Sequence, residues 1–227
     1  GITGIFEMYL IPEAIANACI SLGMRVTMTG GLNDFSQSVE QLREWTSKYN
    51  NMSDLVRFLP GFHAEYTTSY ELLEKVAKLS KELQMPVFAH MCETQSECDG
   101  CVARYGKTPI ALFDSLEMFE YGGGGYHMVY ASEEELEICK KKGLYLVTNP
   151  SSNLKLASGI APVDRWLEKG LCVAIGTDGP ASNNALDFFR EMFLVATLSK
   201  AVSKNPTVVK AEEVLKMACK NGAYAMG

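Results

Sequence analysis

The stretch LCVAIGTDGPASNN, residues 171–184, decides the fold. Its apolar first part, residues 171–175, predicts a buried strand that stops close to the carboxylate of Asp178. A turn rich in asparagine then leads into an amphipathic helix. Parallel α/β proteins carry their chemistry at the carboxyl ends of the strands. The stretch therefore predicts an α/β fold with Asp178 at its functional edge.

Six further apolar segments precede this strand and alternate with helical segments. We predict strands near residues 1–9, 24–29, 55–62, 86–91, 126–130 and 144–148, and 171–176 as the seventh. We predict helices near residues 12–22, 34–49, 69–83, 96–104, 108–119, 132–142, 184–200 and 211–225. This alternation is typical of parallel βαβ units. No change in composition divides the chain, so we predict one domain over residues 1–227.

A closed (β/α)8 barrel has eight strands and about 250 residues. The seven predicted strands leave two choices, an open sheet or a barrel that lacks one strand. The run Gly122–Gly125 does not fit the pattern, because glycine weakens a strand.

Composition excludes several classes of protein. The 227 residues carry a net charge of −6 and no basic block, so nucleic acid is not an expected partner. No apolar run approaches about 20 residues, so no membrane span is expected. Residues 1–20 lack the basic region of a signal peptide. The odd number of cysteines, 7, favours a reduced, cytoplasmic protein over a disulfide framework.

The three histidines of the chain, His63, His90 and His127, each lie at or just beyond the end of a predicted strand, as Asp178 does. Imidazole and carboxylate together suit zinc or iron. Each histidine alone has a second interpretation as a hydrogen-bonded structural residue. Glu93 follows His90 by three residues and is either a general acid or base or a helix-capping carboxylate.

Two other segments have weaker signals. Cys98 and Cys101 form a lone CxxC without the H-x-E and P-C-x-x-C of zinc deaminases, so we interpret them as helix or loop cysteines. Residues 151–159 form a polar segment after the sixth strand, which is either a solvated connection or a loop that contacts substrate. No phosphate-binding glycine motif is present.

Four segments together match one known family. They are FAHMCET (88–94), YHMV (126–129), NPSSNLKLASG (149–159) and GTDG (176–179) followed by SNN (182–184). With these motifs the chain resembles the amidohydrolase superfamily, in its branch of 5'-methylthioadenosine/S-adenosylhomocysteine deaminases. The N-P-x-S-N-L-K-L-A-S-G string is specific to this branch, whereas the other segments are shared more widely. The resemblance covers essentially the whole chain.

The resemblance implies a (β/α)8 barrel with one divalent metal, most often zinc or iron. His90 and Asp178 would then be metal ligands, and Asp178 would also take a proton from the bound water. Glu93 would hold the purine and protonate its ring nitrogen, and His127 would polarise the attacking hydroxide. Substrate contacts would come from His63, Glu93, Asn153 and Ser182.

The sequence departs from the family pattern in three ways. It has no His-x-His pair, which supplies two ligands from the first barrel strand, and no flanking β-sandwich is visible. Residues 1–227 therefore correspond to barrel strands 2–8 of a longer protein. Metal affinity is expected to fall sharply, to the point where this chain alone binds none and is inactive. Tyr126 stands where the family has a small residue before the strand-six histidine.

Three functions stay open at this stage. The first is metal-dependent deamination of 5'-methylthioadenosine, S-adenosylhomocysteine or adenosine. The second is a related reaction on guanine, a triazine or another cyclic amidine, because fold does not fix substrate. The third is an inactive barrel that serves as a binding subunit. The expected partner is a small molecule, and a homo-oligomer is compatible with all three. The coding sequence upstream of Gly1 would separate the first two from the third.

Overall fold

The computed structural model describes residues 2–227, so Gly1 of the first predicted strand lies outside the described residues. Within that range the strands are β1 (Gly4–Glu7), β2 (Arg25–Thr29), β3 (Val56–Leu59), β4 (Gly61–Ala64), β5 (Val87–Met91), β6 (Gly123–His127), β7 (Tyr145–Thr148) and β8 (Cys172–Ile175). The helices are α1 (Pro12–Leu22), α2 (Val39–Asn50), α3 (Tyr70–Leu83), α4 (Gln95–Tyr105), α5 (Pro109–Ser115), α6 (Glu133–Lys142), α7 (Pro150–Lys155), α8 (Val163–Glu168), α9 (Pro180–Asn183), α10 (Phe188–Ser203), α11 (Ala211–Lys216) and α12 (Gly222–Met226).

The described residues fall into two compact units. The first comprises residues 2–90, 112–123 and Met226, and the second comprises residues 91–111, 124–225 and Gly227. The assignment of residues 1–227 to one partial barrel stays a prediction.

The first unit contains a parallel sheet in the order β1-β2-β3 and a parallel pairing of β4 with β5. The prediction of one strand over residues 55–62 is wrong, because β3 and β4 are separate strands on either side of Pro60. Proline has no N–H to donate to a strand ladder. The described residues therefore hold eight strands instead of seven. His63 lies inside β4 and not just beyond it.

Capping residues set the helix boundaries of the first unit. α1 begins at Pro12 and ends at Gly23 with φ 65°, as predicted. The helix predicted from residue 34 begins later, at Val39, because Ser38 caps it and accepts a hydrogen bond from the Gln41 N–H at 3.2 Å. Asn33 instead accepts from the Phe35 N–H at 2.9 Å in a local turn, the alternative that asparagine commonly offers the backbone.

The second unit contains β6, β7 and β8 in a parallel arrangement. The helix predicted near residues 132–142 is confirmed as α6, which begins with a capping box of reciprocal bonds between Ser132 and Glu135. The segment predicted as a polar loop after the sixth strand forms α7 over its first part. α8 was not predicted from the sequence, and α10 begins later than predicted because Asp187 accepts hydrogen bonds from the Phe189 and Arg190 N–H groups.

The glycine run forms part of β6, so the prediction that this strand begins at Tyr126 is wrong. Gly123 has φ +142°, and a Cβ there would lie 2.0 Å from the carbonyl oxygen of Val87. A Cβ on Gly125 would lie 2.5 Å from Sδ of Met128. Glycine is therefore required at residue 123, because a backbone carbonyl approaches β6 too closely for a side chain there.

Two further sequence predictions can be compared with the structure. No helix within residues 2–227 combines the length and the apolar character needed to cross a membrane. All 7 cysteines are free thiols, and Cys98 and Cys101 are buried on α4, which confirms their interpretation as helix cysteines.

The close approach at β6 predicts that G123A is far more harmful than G122A. Gly122 has φ +82° but open space around its Cα, so alanine there meets only backbone strain of about 1 kcal/mol. At Gly123 alanine also collides with a backbone carbonyl, and we expect a loss of at least about 3 kcal/mol. Urea unfolding of both variants measures the difference. Equal losses at the two positions would contradict this explanation of the glycine run.

Candidate active site

Asp178 follows β8 and is held from two directions. Its Oδ2 accepts a hydrogen bond from the Ser152 hydroxyl at 2.5 Å, and its Oδ1 accepts from the Gly179 N–H at 2.7 Å. Burial alone would raise the pKa of Asp178, but the hydrogen bonds from Ser152 and Gly179, with the nearby Ser182 hydroxyl and the charge of His127, outweigh burial and lower it. Asp178 is therefore an ionised carboxylate at neutral pH.

His127 is the last residue of β6, with its side chain 2% exposed. Its Nδ1 lies 2.7 Å from Oδ1 of Asn153, a residue of α7. Its Nε2 lies 3.8 Å from Oε2 of Glu93. An amide oxygen only accepts, so this contact places a proton on Nδ1 and directs Nε2 toward the Glu93 carboxylate.

Glu93 lies just after β5 with its side chain 17% exposed. Its Oε1 accepts a hydrogen bond from the Ser158 hydroxyl at 3.0 Å. The alternative that Glu93 caps a helix does not hold, because Thr94 is the cap of α4 and accepts from the Glu97 N–H at 3.2 Å. The Glu93 carboxylate is thus directed to His127 and Ser158 and not to a helix end.

Glu97 stabilises the backbone on which Glu93 lies. This carboxylate, in a residue only 4% exposed, accepts from the Cys92 N–H at 2.9 Å and from the Glu93 N–H at 2.8 Å. Burial raises the pKa of Glu97 to about 7, against the lowering effect of these backbone hydrogen bonds. The bonds also hold Cys92 at φ 51°, in the left-handed region that is unfavourable for a residue with a side chain.

The first unit brings His63 and His90 together. Nδ1 of His90 lies 2.8 Å from the carbonyl oxygen of His63, and the two ring centroids are 4.9 Å apart. Nδ1 of His63 lies 2.9 Å from the Thr67 hydroxyl oxygen, whose own proton goes to the Ala64 carbonyl at 3.1 Å. Both Nδ1 atoms are therefore donors, and in each neutral ring Nε2 is the nitrogen without a proton.

The chemistry of His90 fits a metal ligand. Histidines that bind metals usually donate their other ring N–H to a carbonyl or carboxylate, as His90 does. Asp178 is an ionised carboxylate that accepts hydrogen bonds from two donors, which also suits a metal ligand. Within residues 2–227, however, no three His, Cys, Asp or Glu side chains form a group that could hold an ion.

Two residues predicted to bind substrate also lie in the second unit. The Ser182 hydroxyl donates to the Gly179 carbonyl at 3.1 Å, in the turn that follows Asp178. Asn153 is 1% exposed, and its Nδ2 is buried without a hydrogen-bond partner in the described structure. A buried amide donor without a partner is costly unless another molecule accepts from it.

Sequence reasoning missed Ser152, Ser158 and Glu97. The two serines lie inside the family string at 149–159, but serine is too common in polar loops for the sequence alone to assign a partner. Glu97 had a usable signal, because Thr94-x-x-Glu97 has the spacing of a capping box at the start of α4.

Comparison with known proteins places the chain in a protein family. The sequence profile of the Amidohydrolase family matches residues 1–227, so the chain belongs to the amidohydrolase family. A 5-methylthioadenosine/S-adenosylhomocysteine deaminase of Caldicellulosiruptor saccharolyticus is 38% identical over 226 residues, 99% of this chain and 53% of that protein. A 5'-deoxyadenosine deaminase of Methanocaldococcus jannaschii is 39% identical, over 100% of this chain and 56% of that protein. The chain spans about half the length of the curated relatives it matches.

A solved structure confirms the predicted fold class. An adenosine deaminase from Xanthomonas campestris, crystallised with bound zinc, superposes with a TM-score of 0.93 at 33% identity, over 99% of this chain and 53% of that protein. A guanine deaminase from C. acetobutylicum superposes with a TM-score of 0.88 at 21% identity, a likeness of fold alone. The chain thus has the α/β fold of the TIM-barrel metal-dependent hydrolases and accounts for part of it.

The raised pKa of Glu97 predicts a stability that depends on pH. In the unfolded chain Glu97 ionises near its ordinary value, whereas in the folded chain it keeps its proton up to about pH 7. Its contribution is therefore present at low pH and is lost as the pH rises between these values. Relative to E97Q, we expect wild type to lose about 2 to 3 kcal/mol of stability between pH 5 and pH 8.

Urea unfolding of wild type and E97Q at the two pH values measures this difference. The exposed Glu134 on α6 provides the control, since E134Q should follow wild type at both. A constant difference between wild type and E97Q across the range would show that Glu97 ionises normally.

Proposed function

We propose that the complete protein containing this chain is a hydrolytic deaminase of an adenosine-type nucleoside, such as 5'-methylthioadenosine, S-adenosylhomocysteine or adenosine. Membership of the amidohydrolase family, and the deaminase activities for which its relatives are named, support this proposal. The observation that carries it is the approach of the Glu93 carboxylate to Nε2 of His127, at 3.8 Å, with both side chains held by hydrogen bonds.

Three side chains of the second unit take part in the reaction, and two of them, Glu93 and Asp178, transfer protons. Glu93 donates a proton to the purine ring nitrogen, which prevents negative charge from accumulating on the ring. Asp178 accepts the proton of the attacking water and later returns one to the departing ammonia. His127 stabilises the oxygen that adds to C6 when its ring carries a second proton, on Nε2, because only an N–H group can donate to that oxygen. The C6 hydroxyl then returns its proton to Glu93 as the C6=O bond forms, and the products are ammonia and an inosine-type nucleoside.

The proposed metal ligands from this chain are His90 and Asp178. A divalent metal, zinc or else iron, would supply the lowered pKa that makes water a nucleophile at neutral pH. The hydrogen bond from His90 Nδ1 to a backbone carbonyl leaves Nε2 as its ligand atom. The assignment of both residues to one ion rests on the family motifs.

The proposed substrate contacts are the four residues that the family resemblance implies. Asn153 offers its buried, unpartnered Nδ2 to the bound nucleoside while its Oδ1 engages His127. His63 and Ser182 complete the set, together with Glu93, which holds the ring nitrogen. The partner is accordingly a small molecule.

This proposal predicts that E93Q abolishes most deamination. Glutamine keeps the shape of the side chain but has no proton to deliver to the ring, and we expect kcat to fall at least about 100-fold. The assay is ammonia release by the complete protein from 5'-methylthioadenosine, adenosine and guanine. E134Q, on the exposed face of α6, is the matched control and should retain full activity.

The outcomes separate the candidate functions. Ammonia from the two adenine nucleosides and none from guanine supports the proposal. Ammonia from guanine alone would assign the protein to a different cyclic-amidine substrate. A metal-loaded protein that releases no ammonia from any of the three would exclude nucleoside deamination.

A further inference from the structure

Glu191 is a buried carboxylate that the proposed chemistry does not use. It lies on α10 and is 0% exposed. Its Oε2 accepts from the Ser151 N–H at 2.9 Å, and its Oε1 accepts from the Ser151 hydroxyl and from Nδ2 of Asn183 at 2.9 Å. A carboxylate without contact with water is stable only when donors of this kind surround it.

The two residues that donate to Glu191, Ser151 and Asn183, both lie beside groups that contact Asp178 or the residue before it. Ser151 precedes Ser152, whose hydroxyl donates to Oδ2 of Asp178. Nδ2 of Asn183 also donates to the carbonyl oxygen of Thr177 at 2.7 Å, the residue before Asp178. Glu191 is thus connected to the Asp178 side chain through Ser151 and Ser152, and to the backbone before Asp178 through Asn183.

Asn183 cannot turn its amide to form another arrangement. Its Oδ1 accepts from the Ala185 and Leu186 N–H groups, each at 3.3 Å, so its NH2 group must point toward Thr177 and Glu191. A glutamine in place of Glu191 would present an NH2 group to one of these donors. Residue 191 must therefore accept hydrogen bonds at both ends of its side-chain group, which a carboxylate can do and a carboxamide cannot.

Asp178 needs such support from its neighbours, because its backbone has φ +59°. The left-handed conformation costs a non-glycine residue roughly 1 kcal/mol or more and persists only where the surroundings enforce it. The bonds to Oδ2 and to the Thr177 carbonyl oppose relaxation of this segment. The first comes from Ser152, the neighbour of Ser151, and the second from Asn183, and Glu191 binds both Ser151 and Asn183.

We propose that Glu191 is a positioning residue that holds Asp178 in its left-handed conformation and sets the direction of its carboxylate. The structural part of this inference is independent of the reaction, whereas its effect on turnover rests on the proposed function. Glu191 itself touches neither substrate nor reacting atoms in this scheme.

The test compares E191Q with E135Q. Glu135 is a matched control because it is 1% exposed, lies in the same unit and accepts from the N–H groups of Ser132 and Ile110. Either substitution places an NH2 group against a hydrogen-bond donor, so both variants should lose stability to a similar degree.

The first measurement is amide hydrogen exchange at Gly179, whose N–H donates to Asp178. Relative to an amide in the β7 core, we expect exchange at Gly179 to become at least about 10-fold faster in E191Q and to stay unchanged in E135Q. If E191Q does not fold, S151A removes one donor of the same cluster and should change the rate in the same direction. Unchanged relative exchange at Gly179 in the folded variants would overturn the proposal.

The second measurement is the kinetics of the complete protein. If Glu191 acts through Asp178, E191Q should lower kcat about 10-fold or more with little change in KM, and its effect should not add to that of S152A. E135Q and S152A should be additive. A wild-type protein without deaminase activity would refute the proposed function and leave the exchange result to decide the role of Glu191. An active E191Q with normal kcat would overturn the positioning role.

Discussion

Left-handed backbone at the ends of strands is the constraint on which the candidate site depends. Cys92 after β5, His127 at the end of β6 and Asp178 after β8 have φ values of 51°, 71° and 59°. Because these conformations are unfavourable for residues with a Cβ, neighbouring groups must enforce them.

Buried glutamates enforce two of these turns. Glu97 accepts two backbone N–H bonds at residues 92 and 93. Glu191 binds Ser151, the neighbour of the Asp178 donor Ser152, and Asn183, which donates to the Thr177 carbonyl. Both glutamates lie in the first turn of a helix, Glu97 in α4 and Glu191 in α10. A carboxylate early in a helix is favoured by the helix dipole, so one residue stabilises the helix and the preceding loop together. This shared role explains why these acidic side chains are buried.

The sequence predicted the elements whose signals are local and missed those that depend on packing. The helices predicted near residues 12–22 and 132–142 agree with α1 and α6, because their ends are set by nearby residues, Pro12 and Gly23 for α1 and Ser132 for α6. The extent of β6 was not predictable, because the need for Gly123 comes from the Val87 carbonyl, 36 positions earlier. Glu191 was missed for the same reason, since nothing around α10 in the sequence indicates that Ser151 and Asn183 surround it.

The hydrogen bonds of His90 and Asp178 also limit how each side chain can take part in chemistry. A carboxylate has about four lone-pair directions, and Ser152 and Gly179 occupy two of those of Asp178. The remaining directions suffice for a ligand bond and for one proton, the two tasks proposed for this residue. His90 has a single lone pair in its neutral ring, on Nε2, because Nδ1 donates to the His63 carbonyl. It can therefore be a ligand but cannot at the same time accept a proton, which assigns the proton transfer to Asp178 and not to His90.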